Sequence, residues 1–196
     1  MINEMILEIQ NKLAIRLNKQ RYEHTIGVMY TAACLAMVYE YSIEKAMLAG
    51  LLHDCAKCIP YEDNLKLCQD HNVPVTAWER NNPGLIHAKA GAILAETEYL
   101  IKDKEILHAI CVHTTGEANM SLLDKIIYVA DYIEPGRNKA NHLDFLRKIA
   151  YIDINQCVAH ISFDTLNYLS DKESAIDPTT QLTYDFYKAF MTETID

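Results

Sequence analysis

The amino-acid sequence predicts an all-α protein, folded as a single compact bundle of about eight to nine helices. Its 196 residues include only six glycines and five prolines, which leaves little material for turns and favours long helices over hairpins. Apolar residues recur at spacings of three and four along most of the chain, and no segment alternates as a half-buried strand would. With 50% hydrophobic and 23% charged residues, the chain can bury a sizeable core.

Apolar periodicity places the helices in order. Residues 3–17 form an amphipathic pattern, whereas residues 21–39 are apolar on nearly all faces and so predict a central helix. The longer helices are predicted over 3–17, 21–39, 43–55, 87–99, 104–112, 122–133, 153–170 and 178–192. Shorter helical segments are expected near 60–71 and 142–149, and residues 72–84 are expected to form a loop.

Capping residues support several of these boundaries. Ser42, Asp103 and Asp177 are favourable N-caps for the helices that follow them. Ser121, followed three residues later by Asp124, forms a capping-box pattern at the start of another helix. The helix boundaries therefore rest on local chemistry as well as on periodicity.

Charge and composition exclude several classes of partner. The formal net charge of −9 disfavours a non-specific grip on a nucleic-acid polymer or an anionic membrane. The longest apolar runs are too short to span a bilayer and the first residues do not resemble a secretory signal, so we expect a cytoplasmic protein with no membrane association. The six cysteines do not indicate a disulfide framework, and we interpret Cys55 and Cys58 as packing residues.

The main functional motif is the pair His53-Asp54, at the end of the apolar run Ala46–Leu52. A buried pair of this kind needs a partner that offsets the free-energy cost of its desolvation. A divalent cation can be that partner, because it binds both imidazole nitrogen and carboxylate oxygen. Taken alone, the pair favours an ordinary helix C-terminus, where a histidine complements the helix dipole. The rest of the chain must decide between the two interpretations.

Six ionisable residues lie at predicted helix ends beside apolar runs. They are His24, His53, Asp54, His87, His113 and Asp131. Apart from the central pair, each comes from a different helix, and the gaps are about one helix plus a loop, so a bundle can bring all six together. The set exceeds the three protein ligands of a catalytic zinc and suits two metals that share one carboxylate. The remaining histidines are interpreted as structural: His71, His108, His142 and His160.

The ordered set of histidines and aspartates resembles the metal-binding signature of the HD-domain superfamily of phosphohydrolases. Five local strings are similar to the bacterial YqeK family: Arg21–Val28, Leu52–Lys57, His87–Ala92, His113–Gly116 and Asp124–Arg137. The resemblance spans about residues 15–190. It implies one domain over 1–196, with an HD core at about 18–135 and C-terminal helices at 142–192 packing on that core.

Members of that family are taken to be symmetrical diadenosine tetraphosphate hydrolases that use two irons and release two ADP. By this resemblance, Asp54 would be the ligand shared by both metals. One metal would be completed by His24, His53 and Asp131, and the other by His87 and His113. Phosphate contacts would come from Arg21, Lys57 and Arg137. Thr114 and Asn138, on predicted loops, are further expected nucleotide contacts.

The chemistry of such a site suits attack on phosphorus. Two cations roughly 3.5–4 Å apart can hold a hydroxide between them and polarise a phosphoryl oxygen. We expect three catalytic residues: Asp54 as the shared ligand, Arg137 as a planar cation on the developing charge, and Lys57 as a point charge or proton donor to the leaving phosphate. The sequence does not identify the groups that hold the second nitrogen of each histidine.

Several alternatives stay open at this point. Iron suits a histidine-rich, carboxylate-bridged site, but manganese, zinc or nickel could bind the same ligands. The expected partner is a small dinucleoside polyphosphate or nucleoside diphosphate, and a homodimer is left open. Alternative functions are an HD phosphohydrolase for nucleoside monophosphates or guanosine polyphosphates, a non-catalytic nucleotide-binding regulator, and a di-iron oxygenase.

Overall fold

The computed structural model describes residues 2–172 and 176–191, and it confirms the all-α class. Within these ranges the chain forms eleven α-helices and no strand, two or three helices more than expected. The helices are α1 Ile2–Arg16, α2 Lys19–Val38, α3 Ile43–Leu52, α4 Tyr61–Asp70, α5 Ala77–Asn81, α6 Ile86–Thr97, α7 Lys104–Val112, α8 Leu122–Ile133, α9 Leu143–Ile149, α10 Ile154–Asp171 and α11 Pro178–Tyr187.

One additional helix, α5, lies in the segment 72–84 that was expected to be a loop, so that prediction is wrong in part. A capping box begins α5: the Thr76 side chain accepts from Glu79 N, and the Glu79 side chain accepts from Thr76 N. The two bonds satisfy donors that a short helix leaves open. This local chemistry outweighs the nearby prolines and asparagines that favoured a loop.

The helix predicted over 43–55 ends earlier, at Leu52, and tight turns follow it. Cys55 N donates to Leu52 O and Lys57 N donates to Asp54 O, so bonds to the third preceding residue replace those of an α-helix. The last predicted helix, 178–192, is α11 followed by a 3₁₀ turn at Lys188–Phe190, and residue 192 lies outside the described residues.

Helix α3 lies at the centre of the bundle and packs against α1, α2, α7 and α8. Gly50 allows the closest approach, because a Cβ atom there would lie 3.0 Å from the Met29 Cα of α2. Leu51 and Leu52, at the C-terminal end of α3, are fully buried. The chain that follows α3 therefore starts from a fixed point inside the core.

The C-terminal helices α10 and α11 pack on each other, and α10 also packs on α8. The division into an HD core at 18–135 and C-terminal helices at 142–192 stays a prediction. Among the described residues, no helix has both the length and the apolar character needed to cross a membrane.

Candidate metal centre

The structure brings together all six residues expected to bind metal. His53 is the C-cap of α3, Asp54 follows it, and His113 is the C-cap of α7. His24 lies in α2, His87 at the start of α6, and Asp131 near the end of α8. All four imidazoles and the Asp54 carboxylate converge at one point of the bundle.

The cluster has two halves that meet at the Asp54 carboxylate. On one side, Asp54 Oδ2 lies 3.4 Å from His53 Nε2 and 3.8 Å from His24 Nε2, and His24 Nε2 lies 3.0 Å from Asp131 Oδ1. On the other side, Asp54 Oδ1 lies 3.0 Å from His87 Nε2 and 3.6 Å from His113 Nε2. Each carboxylate oxygen therefore faces its own pair of imidazoles.

Backbone carbonyls fix the orientation of three of the four rings. His53 Nδ1, His87 Nδ1 and His113 Nδ1 each lie 2.7 Å from the carbonyl oxygen three residues earlier in the chain. A carbonyl oxygen only accepts, so Nδ1 carries the proton and a neutral ring presents a bare lone pair at Nε2. This is the tautomer that a metal-binding histidine needs.

The arrangement of these lone pairs fits divalent cations. His87 Nε2 and His113 Nε2 face each other at 3.2 Å, although neither carries a proton in the neutral ring. His53 Nε2 and Asp54 Oδ1 are buried without a hydrogen bond among the described residues. Buried polar atoms without partners are costly, and a cation between them removes that cost. The nitrogen and oxygen donor set suits iron, manganese or zinc.

The pKa shifts of Asp54 and His87 favour the forms that bind metal, whereas the shift of His24 opposes metal binding. Burial alone would raise the pKa of Asp54, but positive charge at His53, His113 and His87, as protonated rings or as rings that hold a cation, lowers it well below its usual range. Burial lowers the pKa of His87 to about 4, so its ring is neutral near pH 7. For His24, burial disfavours the charged ring, but Asp131 and Glu134 outweigh it and raise the pKa. A proton and a cation therefore compete for His24 Nε2.

Three cationic side chains surround the cluster. Arg21 Nη1 lies 2.6 Å from Asp54 Oδ2, and Lys57 Nζ lies 3.2 Å from His87 Nε2. Arg137 Nη2 donates to the backbone oxygen of Asp131 at 2.8 Å and to its Oδ1 at 2.7 Å. Arg137 Nε is buried without a partner among the described residues, so the guanidinium keeps a free donor. The side chains expected to contact phosphate thus lie beside the expected ligands.

Glu134 contacts the cluster, and the sequence analysis did not identify it. Glu134 is 3% exposed. Its carboxylate accepts a hydrogen bond from His24 Nδ1, with 3.0 Å between nitrogen and oxygen, and another from Gly136 N. Gly27 makes room for it, because a Cβ atom there would lie 2.6 Å from Glu134 Oε2. A carboxylate at a helix C-terminus interacts unfavourably with the helix dipole. The position of Glu134 after the predicted helix could therefore have indicated in the sequence that its side chain has a specific partner.

Arg147 is a second residue that sequence reasoning missed. Its guanidinium donates to the carbonyl oxygens of Ile133, Glu134 and Arg137 at 3.0, 3.0 and 2.7 Å. These hydrogen bonds satisfy carbonyl acceptors at the C-terminus of α8, and they fix the position of the loop that carries Glu134 and Arg137. Arg147 lies ten to fourteen residues from these three carbonyls in the chain, and nothing in its local sequence indicates the contacts.

The two remaining expected contacts lie in different cavities. Thr114 Oγ1 is 3.2 Å from His113 Nε2, and Thr114 lines a cavity of about 310 Å³. Asn138 lines a larger groove of about 800 Å³, together with Arg21, His24 and Arg137. The larger groove includes His24 in its lining, whereas the smaller cavity meets the cluster through Thr114.

Two of the histidines interpreted as structural pair with carboxylates outside the cluster. His108 contacts Asp124 and Glu117, and His142 contacts Asp164. Cys55 is buried, and burial raises the pKa of its thiol to about 12, which disfavours a reactive thiolate.

Comparisons with known proteins identify the class that this fold and site define. The HD domain family profile matches residues 21–136, more than half of the chain. A crystal structure of a predicted HD superfamily hydrolase involved in NAD metabolism, from Clostridium acetobutylicum, is 40% identical, with a TM-score of 0.90 over 93% of this chain and 96% of that one. The chain therefore belongs to the HD-domain family of metal-dependent hydrolases.

Curated relatives place the chain more narrowly. It is 40% identical over 171 residues to the symmetrical bis(5'-nucleosyl)-tetraphosphatase of Bacillus subtilis, covering 87% of this chain and 91% of that protein. It is 36% identical over 169 residues to the protein of the same name in Staphylococcus aureus, covering 82% and 83%. Within the HD-domain family, the chain belongs to the symmetrical bis(5'-nucleosyl)-tetraphosphatases, and the expected resemblance is confirmed.

Proposed function

We propose that this chain cleaves diadenosine tetraphosphate symmetrically to two ADP. The observation that carries the proposal is the Asp54 carboxylate, whose two oxygens face separate pairs of imidazoles. Three cationic side chains, Arg21, Lys57 and Arg137, lie beside this cluster. The names of the relatives supply the substrate class. Two nucleoside diphosphates or one dinucleoside polyphosphate are the small molecules that such a site binds.

We further propose that the six clustered residues hold two divalent cations, with iron as the first candidate and manganese as the alternative. His24, His53 and Asp131 hold one cation, His87 and His113 hold the other, and Asp54 binds both. When bound, such cations lower the pKa of water toward neutrality and neutralise charge on phosphoryl oxygens. The tautomers fixed by the Nδ1 hydrogen bonds keep the ring nitrogens available for this role.

Side chains of the protein complete the chemistry. Arg21 and Arg137 bind non-bridging phosphate oxygens, where negative charge increases as phosphorus is attacked. Lys57 lies beside His87, and burial lowers its pKa, which makes the ammonium a better proton donor to the leaving phosphate. Thr114 and Asn138 contact the two halves of the substrate from their separate cavities.

Product analysis tests the proposal directly. Anaerobically purified, iron-loaded protein is incubated with diadenosine tetraphosphate in ¹⁸O-labelled water. The products are separated by chromatography and their masses are measured by mass spectrometry. We expect only ADP, with one ¹⁸O atom for every two ADP molecules. ATP plus AMP would rule out symmetrical cleavage, and binding without turnover would support a regulator instead.

The same preparation separates the remaining alternatives. A panel of nucleoside monophosphates and guanosine polyphosphates tests the other HD phosphohydrolase activities, and we expect them to be poorer substrates. Product formation that depends on oxygen would support an oxygenase. The cytoplasmic location and the homodimer stay predictions, and light scattering of the purified chain checks the second.

Removal of the Arg147 guanidinium is expected to damage the site indirectly. Arg147→Met leaves the carbonyls of Ile133, Glu134 and Arg137 without their donor, so we expect a loss of about 1–3 kcal/mol in unfolding free energy and a raised KM. Urea unfolding and steady-state kinetics measure the two effects. Lys148→Met, at the exposed neighbouring position, is the charge-matched control. Equal KM and stability in both variants would contradict a positioning role for Arg147.

A further inference from the structure

Symmetrical cleavage leaves a nucleoside diphosphate on each side of the broken bond, so the substrate needs two cavities. This inference rests on the proposed function. His24 lines the larger groove, whereas the smaller cavity reaches the cluster through Thr114, whose Oγ1 lies 3.2 Å from His113 Nε2. One substrate bound across the shared carboxylate therefore has room to extend in both directions.

The inner end of the larger groove suits a diphosphate. Arg21 and Arg137 line it beside His24, and Lys139 lies on the same wall. The two acidic residues that line the groove already have partners: Glu134 accepts from His24 and Gly136, and Glu23 lies 3.8 Å from Lys19 Nζ. Arg21 and Arg137 also contact Asp54 and Asp131, but Arg137 Nε has no partner among the described residues, so this end keeps a cationic donor for an anion.

The outer end of the groove suits an aromatic ring. Tyr30 of α2 and Tyr151, which follows α9, line it and are 57% and 38% exposed. Gly27, one turn before Tyr30 on α2, also lines the groove and contributes no side chain of its own. The volume of about 800 Å³ lies within the usual range for small-molecule sites, roughly 300–1,000 Å³.

We propose that this groove binds one nucleoside diphosphate half of the substrate. The diphosphate lies between Arg21 and Arg137, and the base packs against Tyr30 and Tyr151. The other half extends into the cavity at Thr114. Aromatic side chains stack on any base, so the two tyrosines do not by themselves require adenine.

Equilibrium binding of ADP to the metal-loaded protein tests the groove without turnover. Calorimetry should show two ADP sites per wild-type chain. In the double variant Tyr30→Ala/Tyr151→Ala, one of the two sites should weaken about tenfold. Tyr168→Ala removes a 59% exposed tyrosine that lines neither cavity, and it should keep both sites. Two sites of unchanged affinity in the double variant would overturn the proposal.

Kinetics distinguish failure of the groove from failure of the proposed function. With diadenosine tetraphosphate, the double variant should show a KM about tenfold higher than wild type. An unchanged KM would overturn the groove while the hydrolase activity stands. A wild-type protein that binds two ADP, loses one in the double variant and yet cleaves nothing would overturn the function alone. Cys34→Phe places a ring in the groove and should weaken the same site. This variant keeps the proposal testable if the double variant does not fold.

Discussion

Replacement of Asp54 by alanine is expected to remove both metals and reduce hydrolysis by about 10³-fold or more. Asp54 Oδ2 faces His24 and His53, whereas Asp54 Oδ1 faces His87 and His113. No other described carboxylate lies within 4 Å of both pairs of imidazoles. Metal content by elemental analysis and the rate of ADP formation measure the two losses.

A matched control separates loss of metal from loss of a buried charge. Asp164 is 2% exposed, as Asp54 is, and it also pairs with a histidine, His142, at 3.0 Å. Asp164→Ala should lower stability but leave two metals bound. Asp54→Asn keeps the shape of the side chain and should still lose metal, because an amide is a weaker ligand. Two bound metals and full activity in Asp54→Ala would refute the shared-ligand role.

The second large effect is expected for Arg137→Lys, with a loss of about 10²-fold in kcat/KM. The planar guanidinium binds Asp131 through Nη2 and keeps Nε free, whereas a lysine ammonium cannot reproduce this fork. Lysine retains the charge and one donor for Asp131, so metal content should stay near the wild-type value. Steady-state kinetics and elemental analysis of the same preparation test both expectations.

Arg16→Lys is the control for this substitution. Arg16 Nη2 lies 2.7 Å from both carboxylate oxygens of Glu98, away from the cluster. The control should lose little activity, since an exposed ion pair contributes little to the site. A wild-type kcat/KM in Arg137→Lys would show that the guanidinium is not needed for catalysis. Loss of metal in this variant would show that Arg137 acts by positioning Asp131 instead.

Much of the candidate site could be predicted from the sequence, because its residues follow or begin apolar helices. His53 and Asp54 follow a buried run, and His113 ends another helix, so each position is fixed by local patterning. Glu134 and Arg147 could not be predicted in this way. Their partners lie across the fold, and long-range contacts leave no periodic signal in one sequence.

The fold shows the same division. Periodicity predicted the long helices, but the tight turns after Leu52, each closed by a backbone bond to the third preceding residue, leave no periodic signal. The helix α5 had a local signal, Thr76 followed by Glu79, that the nearby prolines obscured. The two cavities depend on how separate helices and loops meet, so they could be found only in three dimensions.

Anomalous X-ray diffraction at the absorption edge of the bound metal tests the central claim most directly. Crystals of anaerobically purified protein should show two peaks per chain, one on each side of the Asp54 carboxylate and roughly 3.5–4 Å apart. The first should lie nearest His24, His53 and Asp131, and the second nearest His87 and His113. A single peak, or peaks away from Asp54, would contradict the shared di-metal site.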